Sequence, residues 1–327
     1  MPRQTIKKIA VIGEGASGIA VARRLIAEGL EVTVYERKDQ AGGVWMLTAD
    51  ADDAYVSPMY ENLETNFPRT LMDDGLPVQY NKEVIGLYYQ DKGNWYDWKI
   101  KINDVQLGKD QYDDVDAIVS AVGTFEKPFE PAYPGLDRWH QMYPETVSHA
   151  RSYRTAEEFS GKRVLVGNSA SGWDISHQLA EVASKVWVSS ARTNARSHHK
   201  IEAVGEIESL SPTKRKVRFV HGIVARDVDY IVLCTGYQYS LPFARKSKKA
   251  RGPIWPDGFR LDNLYEHMFW TVEPTLILVG VPKGGPTILI AQAQSALIAR
   301  YLACRWFVPT KVDMRRWADQ DQGQWTA

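Results

Sequence analysis

Two hexapeptides that begin and end in glycine carry the strongest chemical signal in the chain. The first is Gly13-Glu14-Gly15-Ala16-Ser17-Gly18, with the spacing G-x-G-x-x-G. Set between a strand and a helix, such a turn holds a pyrophosphate. Gly13 permits the tight turn, Gly15 lets phosphates come up to the backbone, and Gly18 lets helix and strand pack closely. The helix that opens at Ala16 and Ser17 adds unpaired N–H groups and the positive end of its dipole. Glu36 follows Gly13 by 23 residues, and its carboxylate is placed to accept hydrogen bonds from both ribose hydroxyls. A carboxylate there favours a nucleotide with a free 2′-OH, as in FAD or NAD, and repels a 2′-phosphate. An ordinary glycine turn is the bland alternative, and the register of strand, helix and Glu36 argues against it.

The second hexapeptide is Gly167-Asn168-Ser169-Ala170-Ser171-Gly172. It keeps the spacing, with Ser169 in the middle glycine position, where a hydroxyl can itself bond a phosphate oxygen. No carboxylate follows its second strand. Ser189, Ser190 and Arg192 stand there instead, and hydroxyls and a guanidinium suit a 2′-phosphate. The second nucleotide is therefore read as NADPH rather than NADH, against the bland reading of Arg192 as a solvated surface residue.

The elements that must hold these turns can be read from the apolar pattern. Lys7 to Ile12 reads as a buried strand, Ser17 to Glu28 as a helix and Glu31 to Tyr35 as the next strand, which makes a right-handed parallel unit. The pattern recurs with a strand at Arg163 to Val166, a helix at Ser171 to Val182 and a strand at Lys185 to Ser189. Asp116 to Ala121 and Asp229 to Leu233 are further buried strands, each running into a glycine, Gly123 or Thr235-Gly236. Trp95 to Ile102 and Arg215 to Val220 alternate as meander strands. The last third returns to the first domain, with a strand at Leu276 to Val279 and a helix at Ala291 to Arg305. The expected fold is α/β, with two Rossmann-like dinucleotide-binding domains of the FAD/NAD(P)-binding type. The first occupies residues 1–158 and 238–327, and the NADPH domain, 159–237, is inserted in it.

Composition narrows the partners. The chain has 327 residues, and its 40 Lys and Arg balance its 40 Asp and Glu. That balance points away from nucleic acid and from anionic membrane surfaces. Two cysteines, Cys234 and Cys304, are too few for a disulfide framework, which suggests a reducing, cytoplasmic location. A strand beginning near Lys7 leaves no room for a signal peptide. The longest apolar stretch, Thr275 to Ala303, is broken by Lys283, glycines and prolines, so no integral membrane association is expected. His198-His199 lack a third ligand nearby in sequence, and no metal is expected. Lys246 to Arg251 reads as a solvated basic loop.

Further segments, in order, resemble the flavin-containing monooxygenases, with a fungal flavour. Gly42-Gly43-Val44-Trp45, just past the ribose carboxylate, resembles the loop that lies against the flavin side of FAD, which selects FAD over NAD for the first site. Tyr143-Pro-Glu-Thr-Val-Ser-His149-Ala-Arg-Ser-Tyr153 resembles the family fingerprint F-x-G-x-x-x-H-x-x-x-Y/W. Pro58-Met-Tyr-Glu-Asn-Leu-Glu-Thr65-Asn66-Phe-Pro resembles its T-N segment beside the flavin. Leu233-Cys-Thr-Gly-Tyr237 and Ala121-Val-Gly-Thr-Phe125 resemble its strand-end glycine motifs, and Asn263 to His267, Pro274-Thr275, Gly280 and Ala293-Gln294-Ser295 its C-terminal part.

The resemblance implies cofactor contacts beyond the two turns: Arg37, Lys38, Gly43, Val44, Trp45, Thr65, Asn66, Val84, Gly123, Thr235, Gly236 and Gln294. It implies a catalytic place for Asn66 near the flavin, whose alternative is a turn residue before Phe67-Pro68. His149 is better read as a structural hydrogen-bonder linking the two domains than as a proton carrier. The implied activity is transfer of one oxygen atom from O2 to nitrogen or sulfur of a small-molecule substrate, through a C4a-hydroperoxyflavin formed when NADPH-reduced flavin reacts with O2, the other oxygen leaving as water. Baeyer–Villiger or N-hydroxylating chemistry, and a non-catalytic or uncoupled relative, remain as alternatives; homo-oligomerisation is left open. Two departures stand out. Glu145 takes the fingerprint glycine position, where a turn with positive φ would be strained. The interval from Asp73 to Asn81 is too short for the family's packing helix, which should open the flavin pocket or uncover apolar surface.

Overall fold

A computed structural model describes residues 6–48, 55–63, 75–91, 96–190, 199–241, 243, 258–283 and 285–322. The chain divides into two compact units, one of Met1–Met46, Thr65–Lys127 and Gln238–Ala327, the other of Leu47–Glu64 and Pro128–Tyr237. The second unit takes in Leu47–Glu64 and then runs from Pro128, ahead of the 158/159 divide expected from the sequence. The reason lies in strand pairing, because Val147–His149 runs parallel to Tyr230–Leu233 and closes the second unit's sheet.

In the first unit the apolar run Lys8–Ile12 is an inner strand of a seven-stranded sheet, next to the central strand Ala117–Ser120. Glu31–Tyr35 and Ala117–Ser120 flank it in parallel, Val78–Gln79 extends one side, and Leu276–Leu278 pairs in parallel with Ala117–Ser120 on the other. The chain after Gln238 therefore re-enters this sheet. Leu264–Tyr265 and Phe269–Trp270 complete it as an antiparallel edge. One face is covered by helix Ala16–Ala27, which buries Gly18, Ile19, Val21, Ala22 and Leu25 at the three-to-four spacing of a single helical face. Helix Thr287–Leu302 packs on the same core. It starts one turn ahead of the expected Ala291, because Ile288 continues the buried stripe. The other face is covered by three antiparallel strands, Lys82–Asp91, Tyr96–Asp104 and Lys109–Val115. Their inner residues Val84, Leu87, Trp98, Ile100, Ile102 and Val115 join the sheet's core. Between residues 75 and 81 the chain forms the short strand Val78–Gln79 and no helix.

In the second unit a five-stranded parallel sheet is built on Arg163–Gly167, flanked by Lys185–Ser189 and Tyr230–Leu233. Ile201–Val204 and Val147–His149 form its edges. Helix Ala170–Val182 buries Gly172, Ile175, Ser176, Leu179 and Ala180. A small antiparallel sheet of Ile207–Ser211, Lys216–Phe219 and Val224–Ala225 contains the second meander. Glu145 lies in the 3-10 turn Pro144–Thr146 and is not among the residues with positive φ, so the strain anticipated for it does not arise. No helix among the described residues is long and apolar enough to cross a membrane.

Candidate functional site

The first glycine turn is shaped by backbone contacts. Gly13 has φ +96° and donates its N–H to Tyr35 O at 2.9 Å, which joins the turn to the neighbouring strand. A Cβ on Gly18 would lie 1.9 Å from Gly13 O, so the helix approaches the turn as closely as only glycine permits. Gly15 differs. Its φ is −78°, and a Cβ there would find Gly43 Cα at 3.9 Å as its nearest neighbour. The space above Gly15 is open, and it lies at the N-terminus of a 12-residue helix, as a phosphate group requires.

Glu36 is buried at 5% exposure. Its Oε2 accepts from Glu14 N–H at 2.7 Å and its Oε1 from Lys38 N–H at 3.0 Å. Both bonds orient the carboxylate at the end of its strand, and each oxygen keeps a lone pair for a ribose hydroxyl. Gly42 donates its N–H to Glu14 O at 3.0 Å, which lays the loop of Gly42, Gly43, Val44 and Trp45 against the first turn. The approach is tight, since a Cβ on Gly43 would meet Gly15 Cα at 2.9 Å.

Gln294 is buried, and its Oε1 accepts from Gly280 N–H at 2.9 Å. Gly280 in turn sits where a Cβ would collide with Ser17 Oγ at 2.2 Å. Gln294 thus acts on the turn through Gly280, which is not among the cofactor contacts expected from the sequence. The signal was present, in a glycine directly after the returning strand. Gly123 has φ +71° with open space around it.

Arg37 makes a bidentate pair with Glu126, at 3.1 and 2.5 Å. Lys38 acts through its backbone, donating to Glu36 and accepting from Asn81 N–H at 2.9 Å. The Val84 side chain is buried in the core beside the three-stranded sheet, so its main chain alone is left to meet a cofactor. Thr65 and Asn66 lie outside the described residues.

The second turn has the same outline and different chemistry. A Cβ on Gly172 would lie 1.6 Å from Gly167 O, and one on Gly167 would meet Cys234 N at 3.1 Å. Ser169 is the N-cap of helix Ala170–Val182, its Oγ accepting from Gly172 N–H at 3.5 Å. Asn168 N–H donates to Ser189 O at 2.9 Å. Ser189 Oγ donates to Gly205 O at 3.0 Å, so its proton is turned away from any phosphate. Of the expected 2′-phosphate group this leaves Ser190, whose N–H bonds Val204 O at 3.1 Å, and Arg192, which lies outside the described residues. Cys234 is buried beneath this turn, and burial pushes its thiol up to about 12, so it stays protonated.

Thr235 Oγ1 donates to Phe129 O, and Gly236, at φ +77°, has its carbonyl held by Phe129 N–H at 2.9 Å. The same carbonyl accepts from His149 Nε2 at 3.0 Å, while His149 Nδ1 accepts from Arg151 N–H at 3.1 Å. These partners assign the neutral Nε2–H tautomer. Burial, with Arg151 adding to it, depresses the imidazole below its ordinary range. His149 is a structural hydrogen-bonder here, and both partners lie in the second unit.

The fingerprint stretch also grips the segment 55–63. Arg151 donates to Val56 O at 3.3 and 3.0 Å, Arg154 Nη1 to Met59 O at 3.2 Å, and Glu61 N–H returns to Arg154 O at 3.0 Å. Nothing in the spacing of Arg151 and Arg154 signalled this role. Among the described residues no three of His, Cys, Asp and Glu come together as metal ligands.

Comparison with known proteins adds to this geometry. The family model described as pyridine nucleotide-disulphide oxidoreductase matches residues 7–253. The chain is similar to a flavin-containing monooxygenase of Arabidopsis thaliana, 29% identical over 370 residues, covering 94% of this chain and 76% of that protein. That alignment is longer than the chain's own 327 residues, so the relative carries segments with no counterpart here. It is also similar to the thiol-specific monooxygenase of Saccharomyces cerevisiae, 28% identical over 89% of this chain and 76% of that one. Among solved structures, an S-allyl-L-cysteine S-oxygenase from Allium sativum superposes with a TM-score of 0.83 at 27% identity, over 97% of this chain and 82% of that one.

Proposed function

The chain belongs to the pyridine nucleotide-disulphide oxidoreductase family, and from that premise we propose that it is a flavin-dependent monooxygenase transferring one oxygen atom from O2 to sulfur, or to nitrogen, of a small molecule. Its cofactors are FAD and NADPH, as the family and the named relatives imply. The observation that carries the assignment is the contrast between two like turns. The first ends on the pinned carboxylate of Glu36, which matches the free ribose hydroxyls of FAD. The second has no carboxylate in that place, and Ser190 and Arg192, which follow its strand, suit a 2′-phosphate. Bound FAD and NADPH would supply the redox chemistry with O2. The protein's own part is to hold the two nucleotides, to present Asn66 beside the flavin and to keep water out.

The disulphide chemistry in the family's name has no seat in this chain. The sequence holds two cysteines, Cys234 is buried and protonated, and Cys304 is exposed with no CxxC partner. Sulfur is favoured over nitrogen because the garlic and yeast relatives are named for S-oxygenation and for thiols.

The test is the visible spectrum of purified protein, before and after anaerobic NADPH, followed by aerobic turnover with a thioether, a tertiary amine and a cyclic ketone. Flavin bands bleached by NADPH, and a sulfoxide as product, are expected. A colourless protein that takes up no added FAD would overturn the reading, and an ester from the ketone without sulfoxide would turn it to Baeyer–Villiger chemistry.

A further inference from the structure

Helix Ala170–Val182, which opens at the second glycine turn, carries Asp174 on its first turns. Asp174 Oδ2 accepts from Tyr60 OH at 2.7 Å and from Gln178 Nε2 at 3.2 Å. Gln178 Oε1 accepts in turn from Tyr153 OH at 3.0 Å, and the Tyr60 and Tyr153 rings meet edge to face at 5.3 Å. Tyr60 and Tyr153 are both buried, at 6% and 2% exposure. Burial and the neighbouring Asp174 carboxylate hold the Tyr60 phenol well above its ordinary range, so it remains the donor.

Tyr60 lies at the centre of the segment 55–63. Arg151 and Arg154 hold the main chain of that segment, and Asn62 near its end has φ +61°. Thr65 and Asn66 follow at once in sequence. The main-chain grips belong to the fingerprint stretch. The side-chain grip belongs to the nucleotide helix, and it is a hydrogen bond to a carboxylate, the strong kind.

We propose that Asp174 and Tyr60 are positioning residues that tie the segment leading to Thr65 and Asn66 to the helix of the second nucleotide site, so that nucleotide bound at that helix orders the segment. The inference rests on the reading of Gly167 to Gly172 as an NADP(H) site. Phosphates on the N-terminal N–H groups immobilise the first turns of the helix, and Asp174 passes that order to Tyr60. The coupling is thermodynamic, and the segment must strengthen nucleotide binding by the same factor.

Amide hydrogen exchange on the FAD-loaded protein, with and without NADP+, tests this without turnover. In the wild type NADP+ should slow exchange both at 167–173 and at 55–63. In Tyr60→Phe, which keeps the ring and its packing, protection at 167–173 should remain. Exchange at 55–63 should be about tenfold faster, and no longer respond to NADP+. Asp174→Asn should reproduce the effect, and takes the place of Tyr60→Phe should that variant not fold. NADP+ protection of 55–63 in either folded variant equal to the wild type's overturns the proposal. Wild-type protection of 167–173 alone also overturns it, and leaves the nucleotide site standing. If NADP+ protects neither stretch, the nucleotide assignment falls, and the proposal falls with it.

Discussion

Two alanine substitutions three residues apart should separate folding from cofactor binding. A methyl group on Gly18 would lie 1.9 Å from Gly13 O and 3.0 Å from Gly13 C, both main-chain atoms that cannot swing aside. Helix Ala16–Ala27 must then move away from its strand, an overpacking that costs about 1–3 kcal/mol. For a protein of this class that corresponds to a fall in Tm of roughly 2–12 °C. A methyl group on Gly15 meets nothing closer than 3.9 Å, and a φ of −78° suits alanine. Its folding cost is the weaker N-cap, about 0.5–1 kcal/mol. Yet that methyl fills the space assigned to the pyrophosphate. Loss of one charge-assisted hydrogen bond, about 1.5–3 kcal/mol, weakens FAD roughly 10- to 100-fold. Thermal melts must use flavin-free protein, since bound ligand adds its own stabilisation, and FAD is then titrated by quenching of its fluorescence. Gly18→Ala should melt early, and Gly15→Ala should melt near the wild type and bind FAD poorly. A Gly15→Ala protein that binds FAD as tightly as the wild type would remove the pyrophosphate from this turn.

Glu36→Gln should lose FAD on dialysis, because one of two charged acceptors is gone; an unchanged flavin-to-protein absorbance ratio would take Glu36 out of the site. Arg192→Ala should raise the KM for NADPH far more than for NADH, and equal losses would make the residue structural. The depressed His149 makes the unfolded chain the better proton acceptor, so its contribution is present above about pH 6.5 and is lost as pH falls below that. Thermal melts should therefore drop more steeply from pH 7.5 to 5.5 in the wild type than in His149→Gln, and parallel curves would refute this. Because the interval from Asp73 to Asn81 is too short for the packing helix that the resemblance implies, NADPH oxidation should release much hydrogen peroxide; tight coupling of NADPH to product at all protein concentrations would refute this.

Legibility followed the range of the interactions. The glycine turns, the strands beside them and the two buried helix faces could be read because local period and turn chemistry specify them. Helix boundaries moved by a few residues where burial continued past the obvious stripe, as at Ile288. The strands Lys82–Asp91 and Lys109–Val115 were missed on either side of the one strand that was read. In Lys82–Asp91 apolar and aromatic residues such as Ile85 and Tyr88 also stand outside the core, and in Lys109–Val115 only Val115 is buried, so the alternation is faint. The sequence could place Gln294 and Val84 near the site but could not show that one works through Gly280 and the other fills the core. Those roles depend on contacts between positions far apart in the chain. Arg151, Arg154, Tyr60 and Asp174 were invisible as partners for the same reason.

The two turns also differ in how they are set to exchange what they hold. In the first, Glu14 and Gly18 are buried, Gly13, Gly15, Ala16 and Ser17 are half-buried, and Gly43 and Gly280 press on the turn from two sides. The ribose carboxylate is already fixed by two main-chain N–H groups. Little remains to be ordered when a nucleotide binds, and a preorganised site of that kind favours a long residence. In the second turn Asn168, Ser169 and Ala170 are exposed, and the Ser169 cap at 3.5 Å is a long contact that a phosphate oxygen can displace at small cost. The Ser189 hydroxyl at the end of its second strand points its proton elsewhere. Binding there must draw more on charge, from Arg192 and the helix N-terminus, and so should weaken with salt where the first site does not. A held flavin and an exchangeable reductant is the division of labour an NADPH-driven flavoprotein needs, because one must stay through many turnovers while the other leaves at each.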